Sequence, residues 1–239
     1  MVPVYNEERR LSPFLEAVGR AAVLPVRAMG LELLEVLVVD DGSADRTPTM
    51  VRDAAARDDT FVPILRGGAN EGKGAALRAG VEAARAEYIL FVDVDMSTPL
   101  AELEKLWERV RDGDDVAIGS RDVGGSVVVK APQYRKNIGR TFNFLVRRLT
   151  GLPFKDTQCG FKLMPTATAR LLLEHQTVSG YAFDVELLMR ARAFGLEVAE
   201  VPVTYIHDHD SRVNPLTAAP RMALDLARLV YRQRRARRT

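Results

Sequence analysis

Strand-like apolar runs alternate with amphipathic helical patterns through the first half of this chain, and that alternation constrains the fold more than any other feature. The patterning predicts strands at 2–4, 35–39, 61–65, 88–92 and 116–118, with helices at 11–23, 48–57, 73–85 and 100–111 between them. Strands and helices at this spacing fold as successive β-α-β units, so the expected architecture is α/β, a mostly parallel sheet flanked by helices on both faces. Such sheets bind ligands beyond the carboxyl ends of their strands, where successive loops converge. The polar clusters Tyr5-Asn6-Glu7, Asp40-Asp41-Gly42-Ser43, Asn70-Glu71-Gly72-Lys73-Gly74, Asp93-Val94-Asp95 and Gly119-Ser120-Arg121 all fall there. Five such coincidences exceed what turn chemistry alone supplies.

Past Arg121 the alternation stops. Residues 122–134, rich in Gly and Val, read as a mobile active-site loop. Helices are predicted again at 134–150, 165–175 and 183–194, then a strand at 197–203 and a last helix at 216–235. In that last helix Leu224, Leu226, Leu229 and Val230 stand among arginines, a pattern that lies on a membrane interface or packs back onto the domain. The expected division is a catalytic domain over 1–210 and a basic amphipathic helix over 211–239.

Composition narrows the function classes. The 239 residues are 47% hydrophobic and 28% charged, which is ordinary for a folded domain. A net charge of +2 argues against a global polyanion partner, and nucleic acid is not expected, although residues 232–238 concentrate five arginines that suit anionic lipid. The single Cys159 excludes an intrachain disulfide and multi-cysteine zinc patterns, and fits a reducing compartment. No apolar run approaches the roughly 20 residues that span a bilayer, and no signal peptide is evident. The expectation is a cytoplasmic protein peripherally associated with a membrane surface.

Asp93 and Asp95 directly follow an apolar run. The backbone there is expected to be extended, so residues two apart share a side and the two carboxylates would grip a hard cation. Mg²⁺ and Mn²⁺ favour such oxygens and keep positions open for substrate phosphate. Asp40 is placed to accept a hydrogen bond from a pyrimidine imino group or a ribose hydroxyl, while Asp41 and Ser43 suit the turn itself. Lys73 at a glycine-flanked helix start predicts an anion site in which backbone amides join the ammonium, without Walker A spacing. Arg121, with Arg135 and Arg140 further on, offers guanidinium to phosphate oxygens.

The ordered motifs, together with Asp156-Thr157-Gln158-Cys159-Gly160-Phe161-Lys162-Leu163 and Ala182-Phe183-Asp184-Val185-Glu186-Leu187, resemble the family 2 inverting glycosyltransferases of GT-A (Rossmann-like) fold. The likeness covers nearly the whole chain and is strongest to the dolichyl-phosphate β-glucosyltransferase branch. It implies transfer of glucose from UDP-glucose to a polyprenyl or dolichyl phosphate with inversion, and C-terminal helices on the acceptor side. Asp40 would then hold the uridine, the loop from Pro3 through Tyr5 to Glu7 would line that pocket, and Lys73 would lie near the nucleotide. Asp93 and Asp95 would carry Mg²⁺ or Mn²⁺ against the diphosphate, and Arg121 would neutralise the leaving group or the acceptor phosphate. Asp156 and Gln158 would border the donor sugar and acceptor, with a structural role for Asp156 as the alternative.

Cys159 reads as a packed residue, since direct displacement needs no covalent intermediate. Asp184 and Glu186, two apart on a helix, do not share a face, so at most one points into the site. His207 and His209 alternate with aspartates and read as a polar acceptor-side loop, with a second metal site as the alternative. Two departures from the family pattern stand out. Met1 precedes Val2-Pro3 directly, which fits a short first strand or a late start, and Ser97 replaces the glutamine common in the mannosyl-transferring branch. Competing readings are a family 2 transferase for a soluble sugar or protein acceptor, and a non-catalytic nucleotide-sugar-binding scaffold.

Overall fold

The computed structural model of the protein describes residues 1–21, 23–130, 132–207 and 215–236, and the side chains of all of these but 19–21, 23–25, 135, 136, 215–219, 234 and 236. The chain runs β1 (Val2–Val4), α1 (Glu8–Ala21), α2 (Val23–Ala28), β2 (Val36–Asp40), α3 (Thr47–Arg57), β3 (Phe61–Leu65), α4 (Lys73–Ala83), β4 (Tyr88–Phe91), α5 (Leu103–Arg111) and β5 (Val116–Ser120). It continues through β6 (Val127–Val129), α6 (Gln133–Thr150), β7 (Lys162–Pro165), α7 (Thr166–Leu173), α8 (Phe183–Ala193), β8 (Val198–Pro202), β9 (Thr204–Ile206) and α9 (Pro215–Ala236). The predicted strands and helices of the first half all form, with ends shifted by a few residues.

β1, β2 and β3 pair in parallel. A second group has the order β4-β7-β5-β8. The Met1 amine donates to the Leu90 carbonyl at 2.8 Å and the Val92 amide donates to the Met1 carbonyl at 3.0 Å, which sets β1 beside β4. The sheet therefore continues as β3-β2-β1-β4-β7-β5-β8. β7 alone runs antiparallel, between β4 and β5. The sequence pattern missed β7 because it is four residues long, starts on a lysine and ends on a proline, which a strand tolerates at its end. Its interior position explains why Lys162 is almost wholly buried, at 1% exposure.

Alternation along the strands feeds two cores, one on each face. Leu37, Val39, Phe91, Val116 and Ile118 pack with Leu77, Val146, Leu172 and Leu187 from α4, α6, α7 and α8. Val36, Val38 and Ala117 pack with Leu11, Phe14, Val51 and Leu106 from α1, α3 and α5. The helix α9 joins the first of these cores through Leu226, Leu229 and Val230, so one face of it packs back onto the domain. Each such fully buried aliphatic side chain contributes about 1.5–3 kcal/mol.

The segment expected to be a mobile loop at 122–134 contains β6, which pairs in parallel with β9. Three consecutive valines favour extended backbone, and the Val127 and His207 amides anchor the pair to Val203 and Val129 carbonyls at 3.2 and 3.0 Å.

Candidate active site

β4 ends at Phe91, and the next residues close a tight turn in which the Met96 amide donates to the Asp93 carbonyl at 3.0 Å. Met96 takes φ 45 there. The backbone at Asp93-Val94-Asp95 is thus not extended, and strand pleating is not what aligns its two acids. Val94 between them is buried in the second core, while Asp93 and Asp95 stay partly exposed and close enough for the charge of one to act on the other.

The two acids have different environments. Asp93 Oδ1 accepts from Lys73 Nζ at 2.5 Å, and Asp95 Oδ1 accepts from the Ser97 amide at 2.9 Å. Burial raises the Asp93 carboxyl, but the charge and hydrogen bond of Lys73, with Lys162 and Arg121 behind, hold it below the usual range. Burial and then the charge of Asp93 push Asp95 above it. Burial disfavours the Lys73 ammonium, yet Asp93 and Asp184 hold its pKa above the ordinary value. Lys73 also lies 5.9 Å from the Phe183 ring centroid.

Gly160 makes room for this arrangement. A Cβ on it would stand 2.1 Å from Asp93 Oδ2, so only glycine allows the loop after Gln158 to close against the carboxylate. Two carboxylates with open sides form a hard-oxygen donor set that fits Mg²⁺ or Mn²⁺ with positions left for phosphate and water. Among the described residues no group of three or more His, Cys, Asp or Glu gathers at one point, and Asp93 and Asp95 are the carboxylates that would hold such an ion.

Arg121, just past β5, is gripped by Asp156. Its Nε donates to Oδ2 at 2.6 Å and its Nη2 to Oδ1 at 2.9 Å, while the Arg121 and Gln158 amides donate to the same carboxylate at 3.0 and 3.1 Å. Asp156 is fully buried, and Arg121 keeps 30% of its side chain exposed. Asp156 therefore acts through Arg121 rather than facing the cleft itself. Burial opposes both charges, but the pairing wins, holding the Asp156 carboxyl below its usual range and the guanidinium pKa well above its own. Tyr205 places its ring 5.2 Å from the guanidinium carbon.

Glu200 on β8 fixes Asp156 in turn. It accepts from the Lys155 and Asp156 amides at 2.9 and 2.7 Å and from Ser120 Oγ at 2.8 Å. The sequence reading passed over Glu200, although a glutamate inside Val198-Ala199-Glu200-Val201 is itself a signal that the strand carries a polar task.

The loops after β1 and β2 are stitched together. The Asn6 amide donates to Ser43 Oγ at 2.7 Å, the Ala44 amide to Asn6 Oδ1 at 2.8 Å and the Glu7 amide to Thr47 Oγ1 at 2.8 Å. Asp40 accepts from the Ser43 amide at 3.2 Å and from its hydroxyl, so Asp40 also holds the turn. Asp41 is buried and accepts from Arg66 and from the Gly72 amide, the latter at 2.6 Å. Pro3 lies in β1 and Tyr5 is 43% exposed beyond its end.

The expected anion site at the α4 start is corrected in part. The Gly74 and Ala75 amides donate to the Ser179 carbonyl at 2.7 and 3.2 Å, so they are already satisfied, whereas the Lys73 side chain reaches Asp93 in the site. Gly72 has φ 111, and a Cβ there would meet the Ser179 oxygen at 2.6 Å.

Asp184 and Glu186 separate as their spacing requires. Asp184 accepts from buried Lys162 at 2.6 Å under the cleft, whereas Glu186 takes the Thr177 and Val178 amides at 2.9 and 2.7 Å. Cys159 is buried and burial raises its thiol, which suits a packed residue. The Gln158 amide group lies 3.4 Å from the Tyr181 carbonyl. Arg140 pairs with Asp122 at 3.2 Å, and the Arg135 side chain lies outside the described residues. So do His209 and its flanking aspartates; His207 is buried, and the Ile206 amide before it donates to the Ser97 carbonyl at 2.7 Å beside the Asp93–Asp95 turn.

A parallel α/β sheet with one reversed inner strand, carrying its acids and arginine at the carboxyl ends, is the architecture of a GT-A glycosyltransferase. Glucosyl-3-phosphoglycerate synthase from Mycobacterium tuberculosis, solved with Mn²⁺, UDP-glucose and glycerol 3-phosphate, superposes with a TM-score of 0.67 over 96% of this chain and 76% of that one, at 17% identity. The glycosyl transferase family 2 model matches residues 1–170, and the chain belongs to that family. Among curated relatives, a dolichyl-phosphate beta-glucosyltransferase of Trichomonas vaginalis is 35% identical over 96% of this chain and 69% of its own length. The human dolichyl-phosphate beta-glucosyltransferase is 32% identical over 95% and 72%. The glycosyltransferase AglD of Haloferax volcanii is 33% identical over 90% of this chain but 34% of its own.

Proposed function

We propose that this chain transfers glucose from UDP-glucose to a polyprenyl or dolichyl phosphate with inversion, at the cytoplasmic face of a membrane. Relatives named dolichyl-phosphate beta-glucosyltransferase match nearly the whole chain, which supports the reading. The observation that carries the reading is Arg121, a cation locked by Asp156 and partly exposed in the cleft that also holds Asp93 and Asp95. An acceptor phosphate is already anionic near neutral pH, so the site needs a fixed cation to receive it more than a strong general base. A divalent ion on Asp93 and Asp95 supplies Lewis acidity against the charge that builds on the UDP leaving group. In this reading Asp40, Pro3, Tyr5 and Glu7 border the nucleoside, Lys73 neutralises the nucleotide side, and Gln158 borders the sugar.

Residues 1–210 would be the catalytic unit and 211–239 its membrane-facing extension. Among the described residues no helix is long and apolar enough to cross a membrane. A panel of nucleotide sugars assayed with a polyprenyl phosphate and Mg²⁺ or Mn²⁺ tests the reading. UDP-glucose should be the best donor, with product formed only in the presence of metal. Transfer to water-soluble sugars or proteins in preference to prenyl phosphate would replace it with the soluble-acceptor reading.

A further inference from the structure

The two long helices α6 and α9 pack beside one another and bury their inner faces in the same core through Val146, Leu226, Leu229 and Val230. Their outer faces are apolar and basic together. On α6, Tyr134, Ile138 and Leu145 recur at helical spacing on one side, exposed by 58%, 39% and 39%, with Phe144 at 60% on its flank. On α9, Leu224 and Tyr231 are two turns apart and 53% and 67% exposed.

Charge is segregated onto the same pair of helices. α6 contains five cations and no acid, and α9 contains five arginines and one aspartate, Asp225, which pairs with Arg228. That is a net +9 in a chain whose total is +2, so the remainder is net −7. Arg140, Arg147, Arg148, Arg221, Arg232 and Arg235 are all exposed. A second copy of the chain is a poor occupant, because a twofold contact would set like charge on like. Nucleic acid would use the arginines but gain little from the exposed aliphatic and aromatic side chains. A bilayer with anionic headgroups uses both, since the rings and aliphatic chains enter the acyl boundary while arginines stay at phosphate level.

We infer that the paired outer faces of α6 and α9 form a docking surface for an anionic phospholipid bilayer. The inference deepens the lipid-phosphate reading above and rests on it for its purpose. α6 connects this surface to the site, because Asn143 on its buried face accepts from Thr157 Oγ1 at 2.9 Å and exposed Arg140 pairs with Asp122, the neighbour of Arg121. Seating α6 on a bilayer therefore brings headgroup phosphates to the side of the molecule on which Arg121 opens.

Co-sedimentation of the full chain with vesicles of phosphatidylcholine alone, or mixed with phosphatidylglycerol, tests this. The wild type should bind only the mixed vesicles, and salt should weaken binding. Phe144→Ser with Leu145→Ser and Leu224→Ser should abolish it, and Arg148→Glu with Arg232→Glu should weaken it by at least about 25-fold, at about fivefold per arginine. Circular dichroism confirms folding of each variant, and both should still transfer sugar to a short water-soluble prenyl phosphate. Wild-type binding to neither vesicle, or equally to both, overturns the inference. Full binding by the apolar variant with loss only in the arginine variant also overturns it, marking a general polyanion surface. Vesicle binding without transfer to any prenyl phosphate would instead sink the proposed function and leave the docking surface standing.

Discussion

Asp156 holds Arg121 at two points, Nε to Oδ2 at 2.6 Å and Nη2 to Oδ1 at 2.9 Å, with the acid fully buried and the guanidinium reaching into the cleft. Removing the cation leaves a buried carboxylate without its charge partner, which costs about 3–5 kcal/mol. Arg121→Met should therefore lower the urea midpoint sharply at neutral pH. The pH dependence should also change sign. In the wild type the Asp156 carboxyl lies below its unfolded value, so its stabilisation is present at neutral pH and lost as pH falls through the folded pKa. In Arg121→Met burial is left dominant, the carboxyl rises above the unfolded value, and the variant should gain stability relative to wild type as pH falls from 7 towards 5. Midpoints at the two pH values, compared between the proteins, measure this.

Asp95 Oδ1 accepts from the Ser97 amide at 2.9 Å, and its side chain is partly exposed. Asp95→Ala should lower kcat by about 10³-fold, the equivalent of about 4 kcal/mol of lost Lewis-acid stabilisation. Mn²⁺ titration by calorimetry should show weakened binding, while UDP-free stability changes little. Unchanged turnover in this variant would remove the metal from the mechanism.

Gly160 tests whether Asp93 must stand where it does. A methyl group placed there overlaps Asp93 Oδ2, so Gly160→Ala should displace the carboxylate from Lys73. The expected cost in stability is about 1–3 kcal/mol, and metal affinity should fall with it. Wild-type metal affinity would show that the loop yields instead.

Within α9, Leu226 is fully buried and Leu224 is 53% exposed two residues away. Leu226→Ala should destabilise the protein by about 2–5 kcal/mol, whereas Leu224→Ala should stay within about 0.5 kcal/mol of wild type. Paired chemical denaturation curves separate a packed helix from a merely appended one.

The parallel sheet was legible because period-two burial and helical amphipathicity are local patterns. Val36 and Val38 against Leu37 and Val39 divide between the two cores as their alternation requires. β7 was not legible, since four residues beginning with Lys162 carry too little periodicity, and the lysine's burial depends on Asp184 supplied from α8. The same limit applied to Asp156. Its motif marked it as important, but whether it faced the cleft or Arg121 depended on a strand end 35 residues away.

By itself the sequence determined the strand-helix alternation and placed acids, lysine and arginine at strand ends, because those properties follow from residue order over short windows. Only the tertiary structure decided which groups were already satisfied. It assigned the Gly74 and Ala75 amides to the Ser179 carbonyl, the Asp156 carboxylate to Arg121, and Asp93 to Lys73. Hydrogen-bond capacity and burial are consumed by partners distant in sequence, so the chemistry left available in the cleft exists only once the chain has closed around it.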